Sequence, residues 1–185
     1  MARDSPPFPV RNLAKFIYRA TPLSGISNTQ IFFEFQPMED FLETWNLTTL
    51  TRLFAADPAA LGDVDVAVPE QGDVICVTLK EKGDLDVFVA VSGERDILVS
   101  AVLLPCKEVP NREAFERMVL KTHKFVPLSS FGITTIDGEE WYELFGSLSA
   151  HSPADTVVEE VAILAANAVD AAHMIDEWKS GEIAA

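Results

Sequence analysis

Asp137-Gly138 separates two runs of β-forming residues, 131–136 and 139–147. Few sequence features constrain a fold as tightly. A two-residue hairpin loop of type I′ needs positive φ at both central positions, which Asp and Gly tolerate and most residues do not. Such a turn sets the register, placing Ile136 opposite Glu139, Thr134 opposite Trp141 and Ile133 opposite Tyr142. Side chains alternate across a strand, so both faces of the predicted hairpin can be read. One carries Phe131, Ile133, Tyr142 and Leu144, is almost wholly apolar, and is expected to face the core. The other carries Gly132, Thr134, Ile136, Trp141, Glu143 and Phe145. This mixed face is expected to be either covered by another helix of the chain or a surface for self-association or a partner. Ile136, Trp141 and Phe145 are its candidate partner-binding residues, because interfaces concentrate aromatic side chains.

A second strong pattern closes the chain. Val157, Val161, Leu164, Ala168, Ala171, Ile175 and Trp178 recur at alternating spacings of four and three, one stripe of a helix. Val158, Ala162, Ala165, Val169 and Ala172 widen it. The spacing would suit a coiled coil, but the Ala content favours close packing on a sheet. About 27 residues at 1.5 Å each give a rod of about 40 Å. Ser152, Pro153 and Asp155 read as its N-cap, first helical residue and reciprocal cap.

The middle of the chain reads as an antiparallel meander. Predicted strands cover 64–68, 74–80, 85–91 and 97–104, joined by short polar connections containing Gly, which a parallel crossover would not allow. The run 86–90 has few polar groups on either side and is expected at the centre of the sheet. A short helix should start at the N-cap Asn46, with Leu47, Leu50, Leu53 and Phe54 on one side. A second should follow Pro110, capped by Asn111, with Phe115, Met118, Val119 and Thr122 aligned. The expected fold class is α+β: a mainly antiparallel sheet with N-terminal, central and long C-terminal helices packed on it.

Residues 1–37 are distinct in charge, with Arg3, Arg11, Lys15 and Arg19 against Asp4 and Glu34. Several prolines interrupt them, leaving room for a short amphipathic turn near 12–19. They lack the apolar core and cleavage site of a targeting peptide. They are expected to be a loose extension or a start-site artefact, with one domain spanning 38–185.

The formal net charge of the whole chain is −15. That balance disfavours nucleic acid and anionic membrane surfaces, whose phosphates attract Lys and Arg. It reads first as solubility and second as a preference for a basic partner. No apolar run reaches the length of a membrane span. Cys76 and Cys106 have no framework spacing and are expected to be buried thiols, with Lys107 the one neighbour that could lower the Cys106 pKa. His123, His151 and His173 are far apart, and Asp170 with His173 forms at most half of a bundle metal site. No phosphate loop or nucleophile elbow occurs, and adjacent acids such as Glu139-Glu140 point apart. No cofactor, metal or catalytic residue is expected. A site assembled from dispersed carboxylates, in a small-ligand-binding protein or an enzyme, is the alternative.

The predicted order of helix, meander, helix, hairpin and long helix resembles the fold of type III secretion chaperones and YbjN-like proteins, which are small, acidic, usually dimeric and hold other polypeptides. More specifically, the residues Leu104-Pro105, the run PLSSFGI at 127–133, the run WYELFGSLS at 141–149 and the helix bearing Glu159-Glu160 resemble the YjfI-like bacterial family of unknown function, over roughly 38–179. That resemblance implies a cytoplasmic, non-catalytic, chaperone-like or adaptor protein, and possible homodimer formation. Relatives of that family are often encoded beside a PspA-like protein of the membrane-stress response, which makes such a protein the candidate partner; nucleic acid and membrane insertion are disfavoured by the charge and the short apolar runs.

Overall fold

A computed structural model of the chain describes residues 44–56, 58–68, 73–93 and 95–183. The expectations for residues 1–37 and for a domain start at Met38 lie outside these residues. Helix α1 (Leu47–Ala55) is followed by strands β1 (Val64–Ala67), β2 (Val74–Leu79), β3 (Leu85–Ser92) and β4 (Asp96–Pro105), helix α2 (Arg112–Thr122), strands β5 (Ser130–Ile136) and β6 (Glu139–Ser149), and helix α3 (Ala154–Ser180). The six strands make one antiparallel sheet in the order β1-β2-β3-β4-β6-β5. The α+β class expected from the sequence, a mainly antiparallel sheet with helices packed on it, is the class observed, and β3 lies inside the sheet as its composition required.

The hairpin has the register its turn demands. Asp137 has φ 52° and Gly138 φ 83°, and Ile136 pairs with Glu139, Thr134 with Trp141 and Ile133 with Tyr142. Its apolar side lies beneath the helices, where Tyr142 and Leu144 are buried. Ile133 departs from expectation, being 45% exposed. It stands on β5, the edge strand, where residue pattern alone cannot say how far the helix layer extends.

Helix α3 covers the centre of the sheet. Val157, Val161, Leu164, Ala168, Ala171, Ile175 and Trp178 are all buried, the stripe facing the strands along most of its length and α2 at Ile175 and Trp178. Of the flanking row, Val158 and Ala165 are buried while Ala172 is exposed. With α1 these residues enclose the larger core, which includes Leu50, Phe54, Val77, Val89, Val99 and Leu144. A smaller core joins α2 to the end of α3. There the Phe115 ring meets Tyr142 and Trp178 edge-on, with centroids 5.2 and 5.5 Å apart.

The helix ends correct two sequence expectations. Asn46 caps α1 as foreseen, its side chain accepting from the Thr49 N–H at 3.1 Å while Thr49 Oγ1 accepts from the Asn46 N–H. Asn111 instead adopts a left-handed conformation and makes no side-chain cap. At α3 the cap position is Pro153, not Ser152, and Asp155 accepts only from its neighbour Thr156. The Ser152 carbonyl accepts from Trp45 Nε1 at 2.6 Å, tying the start of α1 to the β6–α3 turn.

Candidate functional site

The side of the sheet bearing Trp141 has no described helix over it. It has a small apolar cluster of its own, with Val74, Cys76, Phe88 and Ala90 buried and Val102 half-buried. At one end this face opens into a cleft. β3 pairs with β2 from Leu85 onward, but with β4 only from Phe88 onward. β4 continues past that point, paired with β6 as far as Pro105. The two ladders therefore part below the Phe88–Ser100 pair. β4 is itself irregular just beyond the parting, where its register on β6 shifts between Val102 and Pro105. Proline has no N–H to offer an interior ladder, and the extra residue of a bulge bends the strand that contains it.

The cleft so formed has a volume of about 440 Å³. Asp86 and Phe88 of β3, Val102 of β4, Ile136 and Trp141 of the hairpin, and Lys82 of the β2–β3 connection line it. Its character is aromatic and aliphatic below and acidic at the rim, where Asp84, Asp137 and Glu139 also contribute. Asp86 Oδ1 accepts from Thr78 Oγ1 at 2.6 Å, and Glu139 is paired with Lys107. Cys76 Sγ lies 3.9 Å from Thr78 Oγ1. Burial, and next the Asp86 charge, push the Cys76 thiol up to about 12, so it is neutral at physiological pH and a poor nucleophile.

Ile136 and Trp141, two of the three partner-binding candidates, thus share one cleft. The third, Phe145, is not among its lining residues. It lies farther along β6, opposite Ser100 and Ser130, and its ring packs over Gly132, where an added Cβ would stand 3.1 Å from Phe145 Cε1 and 3.1 Å from Glu143 Oε1. Glu143 sits between the two aromatics on the same strand face. Burial raises its carboxyl pKa, and it has no ion pair with another described residue.

Other sequence candidates fall elsewhere. Asp170 and His173 are exposed on α3, and no cluster of three or more potential metal ligands occurs among the described residues. Cys106 is buried, and burial raises its thiol pKa. That corrects the suggestion of a lowered value: the opposing charge is Arg112, with Lys107 committed to Glu139. No described helix is long and apolar enough to cross a membrane. The sequence reading did not single out Lys82, Asp86, Phe88 or Val102. A signal for part of the set existed, since alternation puts Asp86 and Phe88 on one side of β3.

Three comparisons with known proteins bear on this geometry. A family model described as "Uncharacterized protein conserved in bacteria (DUF2170)" matches residues 44–179. The chain is 29% identical over 135 residues to "Uncharacterized protein YjfI" of Escherichia coli strain K12, covering 73% of this chain and 98% of that protein, and equally similar to its counterpart in Escherichia coli O157:H7. Among solved structures, a chain of the crystal structure of the ExsC–ExsE complex superposes with a TM-score of 0.52 at 17% identity, covering 71% of this chain and 97% of that one. At that identity the likeness is one of fold.

Proposed function

The chain belongs to the bacterial DUF2170 family, and from that membership and its open sheet face we propose that it is a non-catalytic protein-binding module, chaperone-like or adaptor-like. The single observation carrying this reading is the parting of β3 from β4 beneath Trp141 and Ile136. A cleft there presents apolar side chains inside an acidic rim on a face without a described helix. Such a surface suits a polypeptide segment that inserts an apolar side chain and brings basic groups to the rim. The fold neighbour was solved as a complex of two proteins, which supports protein partnering for this architecture. A PspA-like coiled coil, a membrane-stress setting and a cytoplasmic location enter through the family resemblance alone. Homodimer formation is a further part of the proposal.

The test is capture of a purified PspA-like protein, and of partners from native extract, by wild type and by Trp141→Ala and Phe145→Ala. Capture and self-association should fall in the variants while their melting temperatures stay within a few degrees (~2–4 °C per kcal/mol for this size). Wild-type capture combined with lower melting would make the two aromatics core residues instead. A second reading has its own observation: about 440 Å³ lies within the range of roughly 300–1,000 Å³ typical of small-molecule sites. A small ligand would then bind Trp141 and Asp86, and a thermal-shift screen that finds one, with no protein captured, would favour it.

A further inference from the structure

A different border of the molecule carries the opposite charge. Residues 117–136 contain Arg117, Lys121 and Lys124 and neither Asp nor Glu, in a chain of formal net charge −15. All three cations are exposed. None forms an ion pair with a described residue, although Lys80, Lys107 and Arg112 do. The same stretch holds four of the five exposed large hydrophobic side chains of the described residues: Leu120 at 68%, Phe125 at 75%, Leu128 at 58%, and Ile133. They run from α2 through the turn His123–Phe125 to the edge strand β5.

The backbone holds this arrangement at a cost. Leu128 has φ 56°, a left-handed conformation that is rare and strained for a bulky residue. Asn167 of α3 secures both sides of it, Nδ2 donating to the Pro127 carbonyl at 2.8 Å and to Ser129 Oγ at 2.9 Å. The strain thus maintains an apolar side chain in water. Beside it Lys124 Nζ stands 5.1 Å from the Phe125 ring centroid, so cation and apolar surface are interleaved.

We propose that this border docks an acidic amphipathic segment of a partner protein. Its apolar side chains would cover Leu120, Phe125, Leu128 and Ile133, and its carboxylates would meet Arg117, Lys121 and Lys124. Ile133 alternates with Thr134, which shares the Trp141 face, so this surface is separate from the cleft and does not depend on it. Charge complementarity selects the partner. An anionic bilayer would attract the three cations, but would repel the rest of the chain, which is more acidic than the whole. An acidic peptide makes local contact only, within a Debye length of about 8 Å.

The test titrates full-length protein with a fluorescent helical peptide of Leu and Glu, and with its Leu and Lys counterpart. The Leu/Glu peptide should bind, with amide shift changes concentrated in 117–133. Its Kd should rise by about tenfold or more (~1.4 kcal/mol) in Lys121→Glu/Lys124→Glu and, separately, in Phe125→Ser/Leu128→Ser. The charge pair is exposed, so that variant should remain folded, its melting lowered only by the added net negative charge and restored by salt. Equal binding of both peptides, no binding, or shifts elsewhere would overturn the proposal. So would binding to phosphatidylglycerol vesicles that these substitutions abolish, which would assign a membrane. Self-association abolished by Phe125→Ser/Leu128→Ser, with no peptide binding, would assign a second copy and overturn it too.

Discussion

Glu160 is the residue whose surroundings and chemistry disagree most. It is 7% exposed, it hydrogen-bonds to no described residue, and burial, then the neighbouring Glu159 charge, raise its carboxyl pKa. Gly146 makes room for it: a Cβ there would fall 2.0 Å from Glu160 Oε1 and 2.7 Å from the Leu128 carbonyl oxygen. The folded state therefore holds this proton more tightly than the unfolded chain, so stability from this group is greatest at low pH and is lost as pH rises from the ordinary carboxylate range through the raised folded value. Glu160→Gln should then melt higher than wild type at pH 7, the difference shrinking toward pH 4. A variant melting lower at every pH would mean that the carboxylate makes a favourable interaction. Little of this was legible in sequence. Glu159-Glu160 and Gly146 stood out only as parts of separate runs, because the contact joins residues from two elements that meet only when the helix lies down.

At the scale of elements, position in the layered structure outweighs hydrophobicity. Leu164 and Ile133 are similar in bulk and both belong to an apolar pattern. Leu164 is buried on the side of α3 that packs on the sheet, and Ile133 is exposed on the edge strand. Leu164→Ala should cost about 2–5 kcal/mol by lost transfer energy and cavity, whereas Ile133→Ala should stay within roughly 0.5–1 kcal/mol. Urea midpoints of the two variants check this, and equal losses would show that the helix layer reaches β5. The helices and the hairpin register were readable because they rest on local rules: a 3.6-residue period, an Asn46 cap, a turn that demands positive φ. The cap at Asn111 and the start of α3 failed because neighbouring backbone and a proline chose another geometry for the same residues.

For the whole molecule, charge is the dominant long-range term. A net charge of −15 repels itself in the compact state, and the described ion pairs are few and partly exposed. Exposed pairs add little because solvent screens them, so the net repulsion persists. The urea midpoint at pH 7 should accordingly rise as ionic strength goes from about 10 mM to about 150 mM, where screening shortens to about 8 Å. A falling midpoint would mean that ion pairs, such as those Arg112 makes with Glu116 and Glu140, govern stability instead. By itself the sequence determined the elements, their order, the antiparallel meander and the two sides of each strand, since these follow from residue period and turn chemistry along a short stretch. Only the tertiary structure decided where β3 and β4 part and which apolar side chains remain in water at 120–133. Both depend on how far one layer reaches across another, a distance that no local pattern of residues encodes.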